Sequence, residues 1–117
     1  MFQLYFLLLC GHALGDYGLQ SEFVANNKVR TKRQRFTPEE LAKMQVIWPH
    51  LLTSHALIHG FFVFMFTMNY AAGIGEFLAH WFTDFGKGEG WYGFHGDQFI
   101  HVVTKLLWVL LIHFAII

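Results

Sequence analysis

Charge is what this chain has least of. Asp, Glu, Lys and Arg make up 14% of its 117 residues, against about 25% in an ordinary soluble domain. Hydrophobic residues supply 55% and aromatics 19%. A soluble domain this small could not hide so much apolar surface, so the composition points to a membrane environment. The few charges sum to zero, which argues against a generic nucleic-acid binder. A single cysteine, Cys10, leaves no partner for an internal disulfide. The apolar start, from Phe2 onward, lacks the basic n-region and cleavage site of a signal peptide, so it reads as a membrane helix. The glycines of residues 86–96 are followed by no Gly-Lys-Ser or Gly-Lys-Thr, which excludes a phosphate-binding loop.

What the chain does have is polar residues spaced four apart inside its apolar segments. Glu76, His80 and Asp84 form one such run, and His12 with Asp16, His55 with His59, and Asp97 with His101 repeat it. Residues four apart share a helix face. Each segment therefore carries a polar stripe, and charge inside a bilayer must face inward toward partners. The expected fold is all-α: an integral membrane four-helix bundle, a single domain with helices at about 2–24, 48–68, 71–85 and 97–117.

Between the first two helices lies a basic loop, 26–45. Six of the eight Lys and Arg residues fall there: Lys28, Arg30, Lys32, Arg33, Arg35 and Lys43. The positive-inside rule places this loop in the cytoplasm and both termini outside. Thr37-Pro38-Glu39-Glu40 reads as a capping box with proline at the first helical position, opening a short cytosolic amphipathic helix. The loop suits anionic lipid, whereas its shortness and lack of interleaved aromatics argue against nucleic acid. These features predict a multi-pass membrane protein. Counting about 1.5 Å per residue from the cytosolic helix ends puts Asp16, His55, His80 and His101 at similar depths, roughly 9–12 Å.

Imidazole and carboxylate together suit zinc, manganese or iron. The expected metal ligands are His12, Asp16, His55, His59, His80, Asp84, Asp97 and His101. That set exceeds one closed zinc site, so it fits two ions, or one ion with hydrogen-bonding residues around its ligands. Glu76, one turn from His80, is the expected catalytic acid–base. Gln20 and Lys105 are placed to touch an anionic substrate, although Lys105 could instead pair with Asp97 or Asp16. Haem is disfavoured, because each pair includes an acidic residue or a second His on the same face rather than two opposed His.

The motifs His12-Ala-Leu-Gly15-Asp16-Tyr-Gly-Leu-Gln20, His55-Ala-Leu-Ile-His59-Gly60, Glu76-x3-His80-x3-Asp84 and Asp97-Gln98-x2-His101 span nearly the whole chain. In this order they resemble a family of small bacterial and phage integral membrane proteins whose name carries no activity. More distantly, the pattern is similar to predicted membrane-bound metal-dependent hydrolases and to ceramidase-like membrane hydrolases that hold zinc with His and Asp on helices. The ligand-helix serine arrangement of the latter has no counterpart here, which argues against lipid amides. The resemblance implies a place in the bacterial inner (cytoplasmic) membrane, and together with the His and Asp stripes it implies metal-dependent hydrolysis of a lipid or other membrane-associated substrate. Two alternatives use the same residues: ion or proton handling, and a phage-type envelope accessory protein with a structural metal.

Overall fold

The computed structural model describes every residue, Met1–Ile117. Local sequence sets most element boundaries. Helix α1, Phe2–Ala13, runs directly into a π-helical turn, Leu14–Gly18. The helix stops there, and Ser21 restarts the chain: its hydroxyl accepts from the Val24 amide at 3.2 Å and caps α2, Glu22–Asn27. A 3-10 turn, Arg30–Arg35, precedes α3, Pro38–Lys43. The expected capping box is present, with Thr37 and Glu40 each bonding to the other's backbone amide. Helix α4, Trp48–Thr67, has Pro49 in its first turn and ends at Met68, which adopts the left-handed region at φ 52°. Asn69 then caps α5, Tyr70–Gly88, accepting from the Ala72 amide at 3.0 Å. Helix α6 is Phe94–His113.

The chain is all-helical, but the four-helix integral membrane bundle is not supported. Only α4 is long and apolar enough to cross a membrane, with a mean hydropathy of 1.3. Helix α1 has 12 residues, a rise of about 18 Å against a hydrocarbon core of about 30 Å. Helices α5 and α6 have the length. Glu76, Asp84 and Lys87 in one, and Asp97 and Lys105 in the other, remove the apolar run. The multi-pass reading falls with this, and so does the topology drawn from it. The physical reason is that the residues that build the polar stripes are the ones that dilute the hydropathy.

Helices α1, α4, α5 and α6 pack as a ring, with α1 and α5 each lying against both α4 and α6. The α4–α5 hairpin is the tightest contact. A Cβ on Gly60 would come within 2.8 Å of the Gly73 carbonyl oxygen, and one on Gly73 within 2.8 Å of the Phe64 Cβ. Only hydrogen fits at either position, so the two backbones meet directly. Leu8, Val63, Ala72 and Val109 make a small buried apolar cluster. The remainder of the interior is mainly polar: ten buried residues are polar or charged against six apolar. Large apolar side chains such as Phe2, Phe61, Tyr70, Phe82 and Phe99 lie on the outside.

Candidate metal centre

Five helical segments contribute to one polar cluster. Helix α1 brings His12, and the π turn brings Asp16. Helix α4 brings His55 and His59, α5 brings Glu76, His80 and Asp84, and α6 brings Asp97, His101 and Lys105. All eight residues expected to bind metal converge. Gly15 admits one of them: a Cβ there would lie 2.5 Å from the Cε1 and Nε2 atoms of His59. The ring lies against bare backbone in a π turn, an element that often marks functional sites.

The centre is the Asp16 carboxylate, whose side chain is 10% exposed. Its Oδ1 lies 3.0 Å from His59 Nε2, 3.2 Å from His55 Nε2 and 3.7 Å from His80 Nε2. The His55 and His80 Nε2 atoms are 3.2 Å apart. A tetrahedral ion with ligands at about 2.0–2.1 Å has ligand–ligand edges of about 3.3–3.4 Å. The 3.2 Å separations are close to such an edge, and all four ligand atoms lie within 4.8 Å of one another. Neither Asp16 Oδ1 nor His59 Nε2 has a hydrogen-bond partner of good geometry, although both are buried and face each other. A shared cation would satisfy both. His59 and His80 stack at 3.6 Å and 14°. Their lone pairs lie in near-parallel planes, so one ring must turn for both to point at a single ion.

Two further groups share these residues: His12, His80 and His101, and Asp16, Asp97 and His101, with ligand atoms in each group within 4.8 Å of one another. The buried His and Asp groups could therefore hold one metal ion or more. Asp84 borders the cluster on another side. Its Oδ1 lies 3.2 Å from His101 Nε2, and its Oδ2 lies 3.4 Å from His55 Nε2 and accepts from Lys28 Nζ at 2.5 Å.

Asp16, Glu76, Asp84 and Asp97 are answered by Lys28, Lys87 and Lys105. Burial works against a charged His101, yet its hydrogen bonds to Asp84 and Asp97 push the imidazole up to about 9. Protonated His101 supplies the fourth positive charge, so the cluster is balanced as it stands.

No family model, curated protein or solved structure matches this chain. What can be said of the site therefore comes from its own geometry.

The structure places the other expected site residues differently from one another. Glu76 is fully buried below His80. Its Oε1 accepts from Lys105 Nζ at 2.5 Å and its Oε2 from Trp108 Nε1 at 2.8 Å. Lys105 thus pairs with Glu76 rather than with Asp97 or Asp16, and it reaches no cavity. Gln20 donates to the Asp16 carbonyl at 3.2 Å, while its own Oε1 is buried without a partner.

Sequence reasoning passed over four participants. Gln98 ties three elements together: it lies 3.0 Å from His12 Nε2 and donates to Asp16 Oδ2 at 2.9 Å and Asp97 Oδ2 at 3.1 Å. Lys28 comes from the loop, Lys87 lies 3.4 Å from Asp97, and Trp108 holds Glu76. Gln98 had a signal, since it sits within the Asp97–His101 motif. Lys28 had none beyond its membership of a basic run.

The loop is pinned over this site. Arg30 makes a two-pronged pair with Glu89, at 2.8 and 2.6 Å, and Thr31 donates to the Gly88 carbonyl at 2.7 Å. The Arg30 hydrogen bond holds the Glu89 carboxyl below its ordinary range. Tyr92 donates to the Thr83 carbonyl at 2.5 Å, and burial, with Asp97 nearby, pushes its hydroxyl up.

Proposed function

We propose that this protein is a metal-dependent hydrolase acting on a membrane-associated substrate. The observation that carries the reading is Asp16 Oδ1, buried and without a hydrogen bond among three imidazole nitrogens at 3.0–3.7 Å. Zinc suits this donor set best, with manganese or iron as substitutes. One or two divalent ions would be held by Asp16, His55, His59 and His80, and by Asp97, His12 and His101. Such an ion, when bound, supplies Lewis acidity toward a scissile group and toward water.

The protein's own residues do the rest. Asp84 belongs to the cluster and also lines a cavity of about 370 Å³. Burial works against its charge, but the hydrogen bond with His101 and the charge of Lys28 hold its carboxyl well below the usual range, so it stays ionised and orients His101 and Lys28 where that cavity meets the cluster. Glu76 has both oxygens engaged and no opening beside it, so its role is to position α5 and α6 beneath His80. Helix α4 and the apolar outer surface provide the attachment to membrane lipid, which we place at the bacterial inner membrane.

A second reading has its own observation. The rings of His59, His80 and His101 are stacked, at 3.6 and 4.1 Å between neighbours. Such a row suits proton or ion handling.

Elemental analysis of the purified protein, paired with turnover of lipid extract, tests the reading. One or two equivalents of zinc, manganese or iron are expected. Asp16→Ala should lose metal and turnover together, because its carboxylate belongs to two of the groups. Wild-type protein without metal removes the hydrolase. A pH-dependent current in proteoliposomes would put the second reading in its place.

A further inference from the structure

The cavity beside Asp84 has a composition that the metal cluster does not explain. Its walls carry Lys28, Lys32 and Lys87, together with Gln20 and Thr31, and Asp84 is the lone carboxylate. Lys28 is paired with Asp84 and Lys87 with Asp97, so Lys32 is the ammonium group without a carboxylate partner facing about 370 Å³ of space. That volume falls in the range of small-ligand sites, about 300–1,000 Å³. The lysines come from separate parts of the chain. Lys28 and Lys32 lie on the basic loop and Lys87 on the last turn of α5. The Arg30–Glu89 and Thr31–Gly88 contacts hold these two segments together. The buried, unpartnered Gln20 Oε1 adds an acceptor on the same wall. It suits a hydroxyl or a protonated oxygen of the ligand.

We infer that this cavity is the binding site for the phosphate group of a phosphate monoester, which makes the substrate of the proposed hydrolase a phosphorylated molecule. A monoester carries about −1.5 to −2 charge at pH 7, and Lys28 and Lys87 keep N–H donors beyond those given to Asp84 and Asp97, so all three ammonium groups can donate to it. Lys28 contacts both the cavity and Asp84 Oδ2, so a phosphate held there lies next to the cluster. The inference rests on the hydrolase reading for its consequence, but phosphate binding itself needs only the lysines. The monoester can be a lipid headgroup or a soluble compound, since the cavity recognises the phosphate in either.

The test is titration of the full-length protein in detergent with inorganic phosphate, with metal content measured on the same sample. Saturable binding is expected. Lys28→Gln and Lys32→Gln should each weaken it about tenfold, the scale of one charge-assisted hydrogen bond. Lys43→Gln, on exposed α3 away from the cavity, should leave it unchanged. Lys32 is exposed and bonds only Asn26, so its variant keeps the fold even if Lys28→Gln does not. Absence of saturable binding, or binding that Lys32→Gln leaves unaltered, overturns the inference.

Competition against phosphate then identifies the source. Displacement by phosphatidylcholine vesicles containing phosphatidic acid indicates a lipid monoester, and displacement by p-nitrophenyl phosphate a soluble one. Displacement by neither overturns the inference. Protein that binds phosphate through these lysines but holds no metal removes the hydrolase reading alone. Metal-loaded protein that ignores phosphate removes this inference alone.

Discussion

The Glu76–Lys105 pair is the most exposed to a decisive measurement, because both side chains are almost wholly out of solvent. Glu76 is 0% exposed, Lys105 is 1%, and their charged atoms are 2.5 Å apart. Glu76→Gln removes the negative charge and keeps the shape. The glutamine oxygen still accepts from Trp108, whose bond is worth about 1 kcal/mol. What remains is an ammonium group on α6 with no counter-charge, and removing one partner of a buried pair typically costs about 3–5 kcal/mol. For a domain of this size, 1 kcal/mol moves the melting temperature by roughly 4 °C, so a fall of about 12–20 °C is expected. Lys105→Met on its own strands Glu76 and should cost a similar amount. The double variant, Glu76→Gln with Lys105→Met, leaves no buried charge. It should recover to within about 1–2 kcal/mol of wild type, because exchanging a whole buried pair for neutral groups is often nearly neutral. Thermal unfolding of the four proteins, detergent and metal held constant, completes the cycle. A single-variant cost below about 1 kcal/mol, or additive costs in the double variant, would refute the claim that the two charges are buried against each other.

Three other outcomes follow from the geometry. Gly15→Ala puts a Cβ 2.5 Å from the His59 ring; it should lower metal affinity while helix content by circular dichroism stays the same, and unaltered affinity would show that the π turn does not seat His59. Gly60→Val puts a Cβ 2.8 Å from the Gly73 carbonyl oxygen and forces the α4–α5 crossing apart. It should destabilise by about 1–3 kcal/mol or more in thermal unfolding, and a neutral result would contradict the close approach. The third concerns pH. Glu89 is held below its ordinary value by Arg30, so the clasp is fully present above the unfolded glutamate pKa of about 4.3 and is lost as pH falls through the lower folded value. A spin label at Gln34, in a Cys10→Ser background, should be equally immobile at pH 7 and pH 5 and loosen only in stronger acid. Glu89→Gln should be loose throughout, and a label indifferent to both changes would exclude the clasp.

Much of the cluster was legible before any helix was placed against another. Residues four apart lie on one face of any α-helix, so His55 with His59, His80 with Asp84 and Asp97 with His101 were matched pairs whatever surrounded them. The capping box at Thr37 was readable for the same reason, since it involves only residues three positions apart. The chain alone therefore determined that the protein is helical and that polar side chains line the inner faces. It did not determine the number of membrane-crossing helices. Hydropathy averages over a window, and Glu76, Asp84, Asp97 and Lys105 lower that average in the helices they serve.

Only the tertiary structure decided which charges meet. Lys105 shares a helix face with Asp97, yet the packing of α6 on α5 presents it to Glu76. Lys28 reaches Asp84 from 56 positions away, through a loop path that no periodicity encodes. Asp16 stands among three histidines because the π turn and the bare backbone at Gly15 bring its segment against α4. Helical spacing sets the direction of each side chain around its own axis. The rotation and separation of the axes come from packing over the whole chain, and these set which side chains come within bonding distance.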